Sequence, residues 1–318
     1  MANLTAHIKI ARPDHWIKNA FVLPGIVVAI PFRTNESFPC ILSAAFFGLL
    51  ATCLIASSNY VINEVLDAPF DKCHPIKRNR PVPSGQVNIP LAYGQWVVLM
   101  VAGLSVATFL SWGFVLSMIT LWIMGLIYNI PPVRAKDLPY VDILVEAINN
   151  PLRFLAGWYI IAPAAIPPTS LLLSYWMVGC YFMTIKRFAE FREINNETLA
   201  AKYRKSFARY TEPRLLVAIM FFASTSMLFF GAFLVRYRFE LILSFPLIAT
   251  VMAIYFRLSF FPHSAAQAPE KLFRSRTLML SSLVCVIVML ALLFIDIPFL
   301  HTTFRQTPTI HPTPHPYP

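Results

Sequence analysis

Runs of apolar residues long enough to cross a lipid bilayer recur from one end of this 318-residue chain to the other. A helix needs about 20 such residues to span the hydrocarbon core, where every backbone polar group must be satisfied internally. Spans are predicted at 17–32, 39–62, 89–110, 113–130, 141–162, 168–187, 214–235, 239–258 and 277–296. Only 13% of the residues are charged, against roughly 25% in soluble domains, which is too little to cover a water-facing surface. The expectation is an all-α, polytopic membrane helix bundle of nine transmembrane helices, forming a single membrane domain over residues 1–298. Residues 299–318 form a Pro/His-rich tail that includes "TPTIHPTPHPYP"; a segment of that composition has no means of building a packed core and is expected to be disordered.

Charge asymmetry orients the bundle. Of the 26 Lys and Arg residues, Arg33, Arg236, Arg238 and Arg305 fall on one side of the predicted spans, and Arg153 lies within one. The others fall at the N-terminus or after even-numbered spans, so by the positive-inside rule the N-terminus is cytoplasmic. This bias accounts for much of the net charge of +11 without a nucleic-acid partner. The first nineteen residues lack the apolar core and small-residue cleavage site of a signal peptide and read as a basic interfacial segment. The five cysteines form no C-x-x-C pair, so neither a disulfide framework nor zinc is indicated. Cys73-His74 lacks companion ligands.

The second predicted span ends in charge: "NYVINEVLDAPFDKCHPIKRNRPVPSG". Asn59, Asn63, Asp67 and Asp71 recur every four residues, which on a helix stacks them along one stripe drifting by about 40° per step. Carboxylate and amide oxygens in a row suit Mg²⁺, which takes one or two carboxylates and completes its shell with water and substrate phosphate. A polar, capped helix end is the bland alternative. Pro69 has no N–H for the Val65 carbonyl, so a kink or a helix end between the two aspartates is expected. The following "HPIKRNRPV" supplies Lys77, Arg78 and Arg80, two of them guanidinium forks suited to phosphate, between stiffening prolines. Acids for a cation beside bases for an anion match a Mg²⁺–pyrophosphate ligand. A lipid-headgroup patch would explain the bases alone.

Further polar residues lie in apolar runs. Asp142, Glu146, Asn149 and Arg153 fall at i, i+4, i+7 and i+11, one continuous helical face. Charges near a helix centre cost roughly 2.5–3.5 kcal/mol each on insertion scales, so this face lines a cavity, or Glu146 and Arg153 neutralise each other. The sixth span ends in "YFMTIKRFAEFREINN", with Lys186 and Glu190 four apart. A basic loop with Tyr203 and Tyr210 follows. "ARPDHWIKNAF" near the N-terminus offers Arg12, Trp16, Lys18 and Asn19, with Trp16 reading as an interfacial anchor. All of these map to the cytoplasmic ends of spans 1, 2, 5 and 6, where one cavity would gather them.

"NEVLDAPFD" resembles the N-D-x-x-D-x-x-x-D motif of the UbiA superfamily of intramembrane prenyltransferases, with Asn63, Asp67 and Asp71 matching. Within it the chain is most similar to the decaprenyl-phosphate phosphoribosyltransferase branch. Shared with that branch are R-P-x-x-W-x-K-N at Arg12 to Asn19, D-x-x-H-P-x-K-R-x-R-P at Asp71 to Pro81, K-R-x-A-E at Lys186 to Glu190, and Y-R-x-S-x-A-R-Y-T-E-x-R-L at Tyr203 to Leu215. Glu64 departs from the usual Asp, and Glu146, Asn149 and Asn150 depart from the branch's fifth span. "KRFAE" stands where prenyl-diphosphate users carry a second acid motif.

The resemblance implies a UbiA-like bundle in the inner (plasma) membrane with its active site facing the cytoplasm. The implied reaction moves 5-phosphoribosyl from phosphoribosyl pyrophosphate to a polyprenyl phosphate of the decaprenyl type, releasing pyrophosphate. Mg²⁺ would be the cofactor, held by Asn63, Asp67 and Asp71 as the catalytic and metal-binding set. Lys18, Asn59, Lys77, Arg78, Arg80, Asp142, Arg153, Lys186 and Glu190 are the implied substrate contacts. Two alternatives remain open at this stage. One is prenyl transfer from a prenyl diphosphate to a small or aromatic acceptor. The other is an ion-coupled transporter, against which stands the bunching of acids at span ends rather than at the midplane between repeats.

Overall fold

The computed structural model describes residues 3–33, 37–72, 77–194, 204–262, 264–267, 272 and 275–304, and among them there is no β-strand. Cys73, His74 and Tyr203 lie outside these residues. A short α1 (Leu4–Ile10) leads into a ten-residue 3₁₀ helix, Pro13–Val22, and then α2 (Leu23–Ala29). There follow α3 (Phe38–Asp71), α4 (Ile89–Ala107), α5 (Trp112–Asn129), α6 (Val141–Ala147) and α7 (Asn149–Ile161). The chain then forms α8 (Thr169–Ile194), α9 (Glu212–Tyr237), α10 (Phe245–Leu258), α11 (Arg276–Phe294) and α12 (Pro298–Thr303).

Seven helical stretches among the described residues are long and apolar enough to cross a membrane: Leu4–Phe32, Phe38–Asp71, Ile89–Ala107, Trp112–Asn129, Glu212–Tyr237, Phe239–Leu258 and Arg276–Phe294. The predicted fifth and sixth spans fall on α6–α7 and α8, which are helical but stand outside that set. Among the described residues seven stretches thus meet the length and apolarity of a span, against the nine expected from the sequence. The fifth is broken at Ile148, between a 7-residue and a 13-residue helix. Pro151 explains the break, since it has no N–H to give the Ala147 carbonyl. The sixth carries Lys186, Arg187 and Glu190 in its last turns.

The 34 residues of α3 make a rod about 51 Å long at 1.5 Å per residue, well beyond the roughly 30 Å hydrocarbon core. Its surplus turns carry the acid stripe out of the apolar zone. Pro69 lies inside this helix rather than ending it between Asp67 and Asp71. It falls in the last turn, where only one backbone bond is forfeited.

Three apolar cores hold the bundle, the smallest joining α1, α3 and α4 around Ile10, Val61 and Ala92. Of the larger two, one joins α2, α3, α5 and α7 around Trp158, Phe114 and Phe154; the other joins α6, α8, α9 and α10 around Phe188, Ile185 and Tyr181. Packing of α2 on α7 requires glycine. A Cβ on Gly25 would lie 2.0 Å from the Phe154 carbonyl oxygen, and one on Gly157 would lie 2.0 Å from that of Val22. Small residues at such crossings let two backbones touch where lipid offers no hydrophobic drive. At the chain's end, α12 reaches into the segment expected to be disordered from 299 onward. Pro298 starts the helix and Leu300 is buried, so apolar side chains order these residues before the Pro/His-rich stretch begins.

Candidate active site

The last turns of α3 carry three carboxylates, and each is met by a basic side chain from elsewhere in the chain. Asp67 Oδ1 accepts from Lys136 Nζ at 2.5 Å and from Arg134 at 2.9 Å, both in the turn after α5. Asp71 Oδ2 accepts from Arg80 at 2.7 Å. Glu64, 2% exposed, accepts from Arg12 at 3.1 Å and from the Val82 backbone N–H. The longer residue at position 64 is thus turned toward the N-terminal segment and held there. Asn63 Nδ2 donates to Asn129 Oδ1 at 2.5 Å, and the same oxygen accepts from Lys136 at 2.8 Å. One turn back, Asn59 Nδ2 donates to the Leu121 carbonyl, while its buried Oδ1 has no hydrogen-bond partner among the described residues. Gly125 makes room for it, since a Cβ there would lie 2.2 Å from the Asn59 carboxamide carbon.

The N-terminal "RPDHWIKN" forms the long 3₁₀ helix and is laced to α3 at several heights. Arg12 reaches Glu64, Trp16 Nε1 donates to Ser57 Oγ at 2.9 Å, and Asn19 Nδ2 donates to Cys53 Sγ at 3.1 Å. Trp16 is thus a strap contact, not only an interfacial anchor. Lys18 Nζ lies 3.2 Å from His15 Nδ1. Arg153 of α7, 9% exposed, donates from Nε to Asn19 Oδ1 and from NH1 to the Asn149 carbonyl. Among the described residues it makes no ion pair with Glu146. Cys53 precedes Asp67 by fourteen residues, so the point where Asn19 meets α3 lies roughly 20 Å along that helix from Asp67, and Arg153 is tied to it through Asn19.

Asp142, the first polar residue of the fifth-span face, has no exposed surface. Its Oδ2 accepts from Arg187 Nε at 3.0 Å and lies 3.3 Å from Arg204 and 3.4 Å from Ser206 Oγ, and its Oδ1 accepts from Tyr210 Oη at 2.5 Å. Tyr210 Oη in turn accepts from the Tyr140 N–H at 2.7 Å. Burial, and then the adjacent Asp142 carboxylate, push the Tyr210 pKa up. Every oxygen of Asp142 is therefore spent on tying the 204–210 segment and α8 to the start of α6. Glu190 is taken by Arg187 at 2.7 Å. Lys186 lies within electrostatic reach of Glu190, Arg187, Lys18 and Glu146 and makes no hydrogen bond or ion pair among the described residues. Lys77, at the start of a short 3₁₀ turn, feels Glu190 and Asp71, and burial lowers its pKa. Arg78 beside it is exposed.

The structure thus gathers the ends of spans 1, 2, 5 and 6 around one polar region. Asn129, Arg134 and Lys136, in "YNIPPVRAKD", were not singled out in the sequence. Their signal was a pair of bases after a Pro-Pro turn, which positive-inside bias had absorbed. Burial lowers Lys136 to about 8 against the upward pull of Asp67. Arg12, Arg134 and Tyr140 are the described non-glycine residues with positive φ, at 49°, 32° and 64°. Each is tied to a carboxylate of this region, directly or through Tyr210, and backbone strain of about 1–3 kcal/mol apiece is typical of functional sites.

No group of three or more His, Cys, Asp and Glu that could hold a metal forms among the described residues. With Glu64 held by Arg12 and the Val82 N–H, the remaining donors along the α3 stripe are two carboxylates and amide oxygens, one of them Asn59 Oδ1, buried with no hydrogen-bond partner among the described residues. Hard oxygen donors with few carboxylates fit Mg²⁺, which retains water and recruits phosphate oxygens, better than they fit Zn²⁺ or Ca²⁺.

Comparisons with known proteins agree with this architecture. A decaprenyl-phosphate phosphoribosyltransferase from Mycobacterium tuberculosis is 32% identical over 232 residues, covering 72% of this chain and 74% of that protein. The protein of the same name from Mycolicibacterium smegmatis is 31% identical over 209 residues, 65% of this chain and 63% of its own length. The match therefore spans somewhat under two thirds of that second relative. A UbiA homologue from Archaeoglobus fulgidus, solved bound to GPP and Mg²⁺, superposes with a TM-score of 0.68 at 20% identity, covering 91% of this chain and all of the other. Residues 21–284 match the UbiA prenyltransferase family, and this multi-pass membrane protein belongs to it.

Proposed function

We propose that the protein transfers a 5-phosphoribosyl group from phosphoribosyl pyrophosphate to a polyprenyl phosphate, releasing pyrophosphate. The observation that carries this reading is the pairing of one acid stripe with a surplus of cations. Asp67 and Asp71 stand beside Lys136, Arg134, Arg80 and Lys77, as a diphosphate held jointly by metal and bases requires. The relatives named above carry the matching name. The α6–α7 and α8 segments are then read as the fifth and sixth spans of a nine-helix bundle with the N-terminus and active site cytoplasmic.

In this reading Asn63, Asp67 and Asp71 hold Mg²⁺, which when bound neutralises charge developing on the leaving pyrophosphate. Lys77, Arg78, Arg80, Arg134 and Lys136 grip the diphosphate oxygens. A lipid phosphate oxygen attacks C1 of the ribose as the C1–O bond to pyrophosphate breaks; the nucleophile is already an anion, so no strong general base is required. Arg153, whose contacts are with Asn19 and the Asn149 carbonyl rather than with the α3 carboxylates, serves with Lys186 a second anionic group. Asp142 acts as a positioning residue, holding Arg187 and Arg204. Catalysis then rests on aligning two charged partners away from water.

A second reading is prenyl transfer from a prenyl diphosphate, favoured by the Archaeoglobus neighbour bound to GPP and Mg²⁺. Against it, the end of α8 offers "KRFAE", whose single acid Glu190 is already bound to Arg187. Purified protein incubated with labelled phosphoribosyl pyrophosphate and decaprenyl phosphate, or with labelled prenyl diphosphate and an aromatic acceptor, separates the two. Labelled lipid is expected from the first donor, and its absence overturns the assignment.

A further inference from the structure

The acid stripe on α3 is charge-compensated by the protein itself. Lys136 Nζ and an Arg134 guanidinium nitrogen both lie on Asp67 Oδ1, at 2.5 Å and 2.9 Å, and Arg80 lies on Asp71 at 2.7 Å. Two carboxylates thus face three cations in direct contact. Lys136, 5% exposed, is held from a second side by Asn129 Oδ1 at 2.8 Å, the oxygen that also takes the Asn63 amide. The ammonium therefore stands between the two α3 residues, Asn63 and Asp67, that would carry the metal.

A divalent cation arriving alone would add two positive charges to a region whose carboxylates are already paired with cations, and like charges at contact distances repel. A diphosphate reverses this balance. Its oxygens supply the anions that Lys136, Arg134 and Arg80 lose when they leave the carboxylates.

We propose that the metal and the donor's diphosphate enter this site together, with Lys136 exchanging Asp67 for a diphosphate oxygen as the cation takes its place on Asp67. Lys136 is then a resident counter-ion that keeps the free site closed to bare divalent metal. Arg134, fixed at φ 32° and paired to Asp137 at 3.3 Å, keeps a carboxylate partner when it releases Asp67. Among the described residues Lys136 contacts no second carboxylate, so it is the group with most to gain from the incoming anion. The proposal rests on the reading that Asp67 binds metal, and the test keeps the two apart.

Equilibrium dialysis of the full-length protein in detergent, with Mn²⁺ as the probe metal and inorganic pyrophosphate as the probe anion, decides it. Wild-type protein should retain Mn²⁺ weakly by itself and at least ten-fold more tightly with pyrophosphate present. Lys136→Gln should bind Mn²⁺ alone about ten-fold more tightly than wild type and lose much of the pyrophosphate dependence. Wild-type affinity for Mn²⁺ that is equal with and without pyrophosphate overturns the proposal with no variant involved, as does an unchanged metal-only affinity in a folded Lys136→Gln. Asp67→Asn should lose Mn²⁺ under both conditions. Retention there overturns the metal assignment itself, whichever way Lys136 behaves.

Discussion

Asp67 and Asp142 are both aspartates on the polar side of one bundle, yet they are built into it in opposite ways. Asp142 has no exposed surface, and four groups converge on it from α8 and the 204–210 segment: Arg187, Arg204, Ser206 and Tyr210. Asp67 keeps 21% of its side chain exposed and is met on one oxygen by two cations reaching from a turn. A carboxylate whose lone pairs are filled by buried, mutually braced donors has no capacity for a ligand, and removing it strands those donors. A carboxylate held at one oxygen by flexible or exchangeable cations can trade them. On the proposed function, the difference separates a charge that holds the site from a charge that works in it.

The largest expected effect breaks the comparison on the catalytic side. Asp67→Asn and Asp71→Asn should each lower turnover by a hundred-fold or more while the thermal midpoint in detergent moves by only a few degrees. Asp71 is buried and Asp67 part-exposed, but each amide keeps its side chain's volume and an oxygen that can still accept from the base it faces. Excess Mg²⁺ should rescue only in part, and EDTA should silence the wild type. Wild-type turnover that persists in EDTA removes the metal from the mechanism.

Asp142→Ala tests the other half. Deleting one partner of a buried ionic cluster costs about 3–5 kcal/mol because the remaining charges stay buried and uncompensated. Here those are Arg204 and Arg187, which is 2% exposed and keeps Glu190 but loses the carboxylate on its Nε. The midpoint should fall well below that of Asp67→Asn, and proteolysis should open the chain near the 204–210 segment. An Asp142→Ala protein as stable as wild type but inactive would make Asp142 a substrate contact after all.

How much of this was legible follows the range of the contacts. Helix identity came from local pattern, the apolar runs and the four-residue spacing of Asn59 to Asp71, whereas the break before α7 at Pro151 was not anticipated within the span expected at 141–162. The strap was half legible, since "RPDHWIKN" stood out, but its register on Cys53, Ser57 and Glu64 needed three-dimensional packing. Lys136 was invisible because its partner Asp67 lies 69 residues away in sequence, and a lysine after an even-numbered span is what topology alone predicts. Asp142 was misleading for the same reason: its position on a polar helical face was plain, but its saturation by residues from α8 and beyond was not.

A smaller effect sharpens the comparison within the bases. If Arg78 and Arg80 only enforce topology, Arg78→Lys and Arg80→Lys leave the charge count intact and change nothing. If they grip phosphate with two prongs, lysine does not reproduce the fork. Loss of one charge-assisted bond, about 1.5–3 kcal/mol, should raise the donor's KM roughly ten- to hundred-fold and leave the lipid's unchanged. Lys77 adds a pH readout. Burial lowers its pKa, so its ammonium charge is present at low pH and lost on raising pH earlier than for an ordinary lysine. Donor KM should therefore rise on the alkaline side, and Lys77→Arg, always charged, should flatten that limb. A limb unchanged in Lys77→Arg assigns it to another group.

The smallest effect lies at a third carboxylate, in the network between the ends of α9 and α11. Arg238 holds buried Glu240 at 3.3 Å and also reaches Asp296 at 2.6 Å, but Asp296 is 80% exposed. An exposed ion pair is screened by water and spends side-chain entropy to form, so such pairs contribute about 0–1 kcal/mol. Asp296→Ala should thus shift stability by about 1 kcal/mol or less and leave turnover and both KM values at wild-type levels. Glu240 retains Arg238 and the Ile297 N–H, and Arg238 Nε still donates to the Leu292 carbonyl, so the buried carboxylate keeps its partners. Short distance is therefore no guide to worth: the 2.6 Å contact at Asp296 should matter least and the 3.0–3.3 Å contacts at Asp142 far more, because exposure decides how much of the charge water already satisfies. A thermal midpoint for Asp296→Ala as low as that of Asp142→Ala would refute that ordering.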